Sequence, residues 1–156
     1  MGFSGKEGEF MTHILRQINT ISRCAGLFRA EKLENGELGA CHHSYIIAIC
    51  RTPGITAEEL SRRLCVNKSN VARNLSYLED KGYVKREQSQ EDKRALLCYP
   101  TEKMLRVLPR VREIVAEWNR LLTSELDEEE LSAFAATLDK IALKARECVE
   151  KEIKED

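Results

Sequence analysis

Apolar residues recur at helical spacing along most of this chain, and interruptions of that pattern divide it into segments. Over residues 10–32 they repeat at intervals of three and four, which predicts a long amphipathic helix. The repeating positions are Ile14, Leu15, Ile18, Ile21, Ala25 and Phe28. A second helix is predicted over His42–Arg51, ended by Pro53-Gly54. Residues 1–9 are polar and glycine-rich and are expected to be frayed, and 34–39 to form a loop.

The next segment carries the signals of a capped helix. Thr56 and Glu59 have the spacing of a capping box, and Ile55 precedes Leu60 at the spacing of a hydrophobic staple. Leu60 and Leu64 would form the buried stripe, and the helix is predicted to end near Cys65.

A further helix is predicted to begin at Lys68, with Asn67 as its cap. Val71, Leu75 and Leu78 fall on one face, and Gly82 supplies the left-handed residue that stops the helix. The opposite face is polar and consists of Lys68, Ser69, Asn70, Arg73, Asn74 and Tyr77. Amide and guanidinium groups can contact base edges in a DNA major groove, and hydroxyls can hold phosphates. The alternative is a face that is merely solvated.

Two short β-prone runs follow this helix. The first begins at Tyr83, the second spans residues 95–99 and is closed by Pro100, and residues 88–93 between them are polar and turn-like. Two helices followed by such a hairpin are the layout of a winged helix-turn-helix.

Lys93 and Arg94 fall at or near the tip of this hairpin. An arginine there is well placed to enter a minor groove, where narrow A·T-rich stretches concentrate negative potential. We interpret Asp92 as the carboxylate that orients Arg94.

Charge is concentrated in the same region. Residues 62–94 contain nine basic and five acidic residues, a net of +4, whereas the whole chain has a net charge of −1. A basic module on an otherwise acidic chain favours a phosphate-bearing partner.

The stretch LSRRLCVNKSNVARNLSYLEDKGYVKREQSQEDKRALLCYPTEK resembles the MarR family of transcriptional regulators. The shared features are a Lys-Ser recognition helix with an arginine, a Leu-Glu-x-x-Gly ending and an Asp-x-Arg wing. Pro100 and Met104 depart from the Leu-Thr-x-x-Gly that usually follows the wing. The resemblance implies a mainly α fold, with a winged helix-turn-helix DNA-binding domain at 39–100 between dimerisation helices at 1–38 and 101–156.

The C-terminal part of the chain predicts two more amphipathic helices. One is capped by Thr101 and runs to about Leu122, and the other starts at Asp127, with Glu130, and continues to the end. Long amphipathic end helices need a cover, and a second copy of the chain is the simplest one. We therefore expect a homodimer, as the resemblance also implies, that binds a pseudo-palindromic operator with half-sites about 10 bp apart.

The predicted partner is double-stranded DNA, and the predicted output is repression by occupying the promoter. Each group of candidate residues has one predicted role. Ser69, Asn70, Arg73 and Asn74 contact the major groove; Lys68, Tyr77, Lys85 and Arg86 hold the backbone; Lys93 and Arg94 lie at the wing tip, with Arg94 in the minor groove oriented by Asp92.

The resemblance also implies a small phenolic or lipophilic effector in a crevice lined by the first, second and fifth helices. The corresponding residues are Ile18, Ile21, Cys24, His42, Tyr45 and Ile46, with residues near Leu108.

Three alternatives remain for the sensing or binding mode. Cys24 is the cysteine placed to act as a thiol sensor, and the Cys41-His42-His43 run, with His13, invites a metal-sensor interpretation. The third is a winged helix used for protein interaction. No metal or cofactor is predicted.

The remaining expectations concern function class and compartment. The sequence lacks G-x-S-x-G, H-E-x-x-H and a phosphate-cradling glycine loop, so we do not expect an enzyme. It also lacks a long apolar run and a signal-peptide core, so we expect a cytoplasmic protein without a membrane partner.

Overall fold

The computed structural model describes residues 5–33 and 36–155, with side chains described over 13–33 and 36–149. The helices are α1 (Gly5–Lys32), α2 (His42–Arg51), α3 (Ala57–Leu64), α4 (Lys68–Asp80), α5 (Glu102–Leu122) and α6 (Glu128–Glu155). The strands are β1 (Ile55–Thr56), β2 (Val84–Gln88) and β3 (Leu96–Pro100). The chain divides into two compact units, residues 1–118 and 119–156. None of the described helices combines the length and apolarity needed to cross a bilayer.

The helix bounds agree with the sequence except at the N-terminus. α1 begins at Gly5, so part of the segment expected to be frayed is helical, and residues 1–4 lie outside the described residues. α5 continues through Pro109 to Leu122, as predicted.

The sheet is antiparallel in the order β1-β3-β2. Ile55 pairs with Cys98 of β3, and Val84 of β2 pairs with Pro100. β1 was not predicted from the sequence, because Thr56 also supplies the cap of α3. The prediction that the second wing strand ends before Pro100 is wrong. β1 pairs only with Leu97 and Cys98 of β3, so Pro100 lies where β3 has a single neighbouring strand, and a residue without an N–H is tolerated there.

The two helices of the helix-turn-helix begin as predicted. Thr56 Oγ1 accepts the Glu59 N–H at 3.2 Å, and Glu59 Oε2 accepts the Thr56 N–H at 2.8 Å. Asn67 Oδ1 accepts the Asn70 N–H at 2.7 Å at the start of α4. These bonds satisfy N–H groups that the first helical turns leave without partners. Gly82, at φ +75°, ends α4 in the left-handed region, as predicted.

The apolar face of α4 is packed into the core of the first unit. Val71, Leu75 and Leu78 are buried against α2, α3, the wing and α5. The other members include Ile46, Ile49, Leu60, Val84, Cys98, Met104, Val111 and Ile114. Met104 is fully buried, so the residue that departs from the usual glycine fills core volume.

α1 contacts the rest of this unit toward its C-terminal end. Ala25 is buried, the Phe28 and Trp118 rings lie 5.2 Å apart, and Lys32 pairs with Glu117 at 3.1 Å. Leu15, Ile18 and Ile21 from the predicted stripe are exposed.

The second unit contains the end of α5 and all of α6. Asp127 and Glu130 form the predicted cap, with the Glu130 N–H donating to Asp127 Oδ1 at 2.8 Å. The apolar positions of α6 are exposed, namely Leu131, Phe134, Leu138, Ile141 and Val149.

Candidate nucleic-acid interface

The outer face of α4 is most open at its N-terminal half. Lys68, Ser69 and Arg73 are exposed, and among the described side chains they have no hydrogen-bond or ion-pair partner within the chain. Each of them has its full donor capacity available for an external group. These three are the best-placed members of the predicted DNA-contacting set.

The two asparagines on the same helix are held by α2. Tyr45 O–H donates to Asn70 Oδ1 at 3.0 Å, and Asn74 Nδ2 donates to the same oxygen at 2.8 Å. The Cys41 thiol lies 3.5 Å from Asn74 Oδ1. Both asparagines are half-buried, whereas Ser69 and Arg73, which were predicted with them to contact the major groove, are exposed.

Tyr77 is turned toward the protein. Its hydroxyl donates to the Glu37 backbone carbonyl at 2.7 Å, and its ring stacks on the His42 ring with the two ring centroids 4.9 Å apart. Burial lowers the pKa of His42, so the neutral ring accepts the Gly39 N–H at Nδ1, at 2.9 Å. The phenol predicted to hold the DNA backbone therefore also ties α4 to the segment before α2.

The wing tip is a tight turn built from side-chain and backbone bonds. Ser89 Oγ accepts the N–H groups of Glu91 and Asp92 at 3.2 Å each, and Ala95 donates its N–H to Asp92 O at 2.9 Å. Asp92 Oδ1 accepts the Arg94 backbone N–H at 2.9 Å. Asp92 thus orients the backbone of Arg94, and among the described ion pairs none joins it to the guanidinium. Arg94 is exposed, as is Lys93.

The two basic residues of β2 differ in environment. Lys85 is exposed and pairs with Glu87. Arg86 is half-buried and forms an ion pair with Glu79 on α4, in which Nε lies 2.8 Å from Oε2. The hydrogen bond from Arg86 lowers the pKa of Glu79. Arg86 therefore fastens the wing to the C-terminal half of α4.

The residues predicted to line an effector crevice fall into two groups. Ile18, Ile21 and Cys24 are exposed on α1, whereas His42, Tyr45 and Ile46 are buried in contact with the DNA-binding core. A separate groove of about 600 Å³ lies in the first unit. Its lining is His43, Ser44, Ile47, Ala48, Arg51, Thr52, Arg63, Leu64 and Val115.

The Cys41-His42-His43 run does not converge on one point. Cys41 faces Asn74, His42 Nδ1 faces the Gly39 N–H, and His43 Nδ1 lies 2.8 Å from Ala40 O. Within the described residues no three His, Cys, Asp or Glu side chains cluster as a metal site would require.

The cysteines differ in exposure. Cys24, Cys41, Cys65 and Cys148 are exposed, while Cys98 is buried. Burial raises the pKa of Cys98 to about 11 and also raises that of Cys50, so both thiols stay protonated at neutral pH.

The hydrogen bonds of Cys41 and Tyr45 to Asn74 and Asn70 of α4 were not predicted from the sequence. Cys41 and Tyr45 lie one helical turn apart, as do Asn70 and Asn74, and this matched spacing is the only sequence signal of their pairing.

The two capped helices, the recognition-helix face and the two-stranded wing together define a winged helix-turn-helix protein. Residues 38–95 match the model of the MarR family. This part of the chain is therefore similar to the MarR family of transcriptional regulators, and the chain has their winged helix-turn-helix fold.

Known proteins are similar to the chain over most of its length. The uncharacterized HTH-type transcriptional regulator YybA of Bacillus subtilis (strain 168) is 26% identical over 131 residues, 84% of this chain and 87% of that protein. A MarR transcriptional regulator from Methanosarcina mazei Go1 has a TM-score of 0.82 and 26% identity, covering 88% of this chain and 99% of that one.

A third structure has the same fold. It is a putative MarR family transcriptional regulator from Listeria monocytogenes complexed with 26mer DNA, with a TM-score of 0.81 and 23% identity. The alignment covers 85% of this chain and 89% of that one.

Proposed function

We propose that the chain is a sequence-specific transcriptional repressor that binds a pseudo-palindromic operator as a homodimer. The observation that carries this proposal is the set of exposed, unpaired side chains on the first half of α4, Lys68, Ser69 and Arg73, together with exposed Arg94 at the wing tip. Helix N-termini and unpaired cations favour phosphates, and an arginine fork pairs with guanine O6 and N7. The Listeria protein of the same fold was solved with DNA.

The residue roles follow from exposure. Ser69, Arg73 and the half-buried Asn70 contact base edges, Lys68 and Lys85 contact phosphates, and Arg94 with Lys93 enters the adjacent minor groove. Asp92 contributes by fixing the backbone that carries Arg94. Tyr77 and Arg86 support the interface mainly by holding α4 to its neighbours.

Homodimer formation is supported by the apolar faces of the end helices. Phe134, Leu138 and Ile141 on α6 are exposed, as are Leu15 and Ile18 on α1. Apolar side chains at this helical spacing gain free energy when a second surface removes them from water. Two recognition helices related by a two-fold axis then bind two half-sites.

Release by a small aromatic or lipophilic ligand is the regulatory part of the proposal. His42 and Tyr45 contact α4 directly, so a ligand that displaces either would alter the position of the recognition helix. Occupation of the operator blocks transcription without requiring any further surface, which favours repression as the output.

The test is selection of duplexes from a random-sequence DNA library, followed by affinity measurement on the enriched site. We expect Arg73→Ala and Arg94→Ala to lower affinity strongly. The matched control is Arg112→Ala, which removes one exposed arginine of α5 and should bind normally. If the wild-type protein enriches no sequence, the proposal is contradicted and a protein-interaction role for the winged helix is favoured.

A further inference from the structure

α2 and α4 are joined by two facing pairs of polar residues. Cys41, at the start of α2, and Tyr45 lie one turn apart, and they face Asn70 and Asn74, which are one turn apart on α4. Three bonds link the four side chains: Tyr45 to Asn70 at 3.0 Å, Asn74 to Asn70 at 2.8 Å and Cys41 to Asn74 at 3.5 Å. This group is called the asparagine cluster below.

The carbonyl oxygen of Asn70 has no acceptor capacity left. A side-chain amide oxygen has two lone pairs, and Tyr45 O–H and Asn74 Nδ2 use both of them. Tyr45 is buried and burial raises its pKa, so its hydroxyl keeps the proton that it donates. Among the described residues, the Nδ2 of Asn70 has no partner, so this side chain offers donors only.

The amide of Asn74 is already committed within the cluster. Its Nδ2 donates both to Asn70 Oδ1 and to the Asn70 backbone carbonyl, at 2.8 and 2.9 Å. Its Oδ1 accepts from the Cys41 thiol. Asn74 thus holds Asn70 in place and offers little to a third molecule.

The state of Asn70 determines which bases it can contact. An asparagine pairs with adenine through two bonds, accepting from N6 and donating to N7. A side chain that only donates can bond both guanine acceptors, N7 and O6. On adenine it can bond N7 but leaves the N6 donor without a partner, and on cytosine it meets only the N4 donor. Asn70 lies in the first turn of α4, the part of a recognition helix that approaches base edges.

We propose that Tyr45 is a positioning residue for DNA sequence specificity: with Asn74 it occupies the carbonyl of Asn70 and so directs Asn70 toward guanine and away from adenine. This inference rests on the proposed function, because it concerns how the same interface discriminates bases. It assigns Tyr45, a buried residue that does not reach the DNA, a role in the choice of operator.

The experiment measures relative affinity for every base at every operator position, using a library built on the selected site. Asn70→Ala identifies the position that Asn70 contacts, because discrimination there falls to near zero. We expect the wild type to favour guanine over adenine at that position by roughly five- to tenfold. In Tyr45→Phe the freed lone pair can accept from adenine N6, and that preference should shrink or reverse.

Two further variants keep the test decisive. Tyr83→Phe is the matched control, because it also removes a phenol hydroxyl that bonds a neighbouring side chain, Glu37 at 2.9 Å, outside the asparagine cluster. It should leave the base profile unchanged. Asn74→Ala frees the other lone pair of Asn70 at a half-exposed site, and it replaces Tyr45→Phe if that variant does not fold.

The possible results separate this inference from the proposed function. Wild-type protein that enriches no sequence contradicts both. Wild-type protein that binds a specific operator but favours adenine at the Asn70 position, or shows no position that depends on Asn70, overturns the positioning role alone. The positioning role is likewise overturned if Tyr45→Phe or Asn74→Ala folds and keeps the wild-type base profile.

Discussion

Arg86 and Arg94 carry the same charge, but the structure places them in different environments. Arg86 is half-buried and bonded to Glu79, whereas Arg94 is exposed at the wing tip, with its backbone held by Asp92. The sequence predicted both as DNA contacts because spacing along a hairpin does not reveal the acidic residue across from β2. Partner geometry, which depends on packing, is what separates a structural arginine from one available to DNA.

The two arginines should therefore respond differently to truncation. Arg86→Ala should lower the free energy of unfolding by roughly 0.5–1 kcal/mol, as expected for a partly exposed ion pair. Arg94→Ala should leave thermal unfolding unchanged and weaken operator binding. Thermal melts and binding titrations on both variants check this. Equal losses of stability would contradict the separation of roles.

Glu37 should make the first unit sensitive to acid. The hydrogen bonds from Lys103 and then Tyr83 lower its pKa below the ordinary 4.5. A carboxylate with a lowered folded-state pKa stabilises the fold above its ordinary pKa, and this contribution is lost as pH falls through the lowered value. The melting temperature of Glu37→Gln should thus lie below that of the wild type at neutral pH and converge with it as the pH falls from neutral through the lowered pKa of Glu37. A constant difference across that range would contradict the prediction.

At the scale of elements, features that depend on residues close together in the sequence were predicted, and features that depend on contacts between distant segments were not. The starts of α3 and α4 and the stop at Gly82 depend on residues a few positions apart, so the sequence identified them. β1 exists only because β3 lies beside it, and the asparagine cluster only because α2 packs on α4. Such contacts between distant segments leave no local pattern.

The capping box of α3 gives a prediction at this scale. Thr56→Ala removes the acceptor for the Glu59 N–H and the partner of the Glu59 carboxylate, and it should cost about 1 kcal/mol of unfolding free energy. Thr20→Ala is the matched control, because Thr20 lies inside α1 and, among the described residues, its hydroxyl bonds only the Arg16 carbonyl. Denaturant unfolding of both variants measures the difference. A similar change in both would show that the cap contributes nothing specific.

For the whole molecule, the sequence predicted amphipathic end helices but could not determine what covers them. Among the described side chains of α1, Leu15, Ile18 and Ile21 are exposed, and in the second unit the described apolar side chains of α6 are exposed as well. A hydrophobic stripe shows that burial is favourable without identifying the other surface. The proposed second copy is therefore best tested by changing the α6 face alone.

Leu138→Glu should convert the proposed dimer into monomers. A carboxylate at a buried apolar contact costs far more than the lost methyl groups, whereas the core of the first unit does not include this residue and should keep its melting transition. The variant should sediment at about half the wild-type mass and lose affinity for a palindromic operator more than for a single half-site, because the two half-sites are no longer linked. The matched control is Ala136→Glu, which adds the same charge at an exposed position on the opposite side of α6 and should remain dimeric. If Leu138→Glu sediments as the wild type does, α6 is not the dimer contact, and if both variants are monomeric, the effect arises from charge rather than from the apolar face.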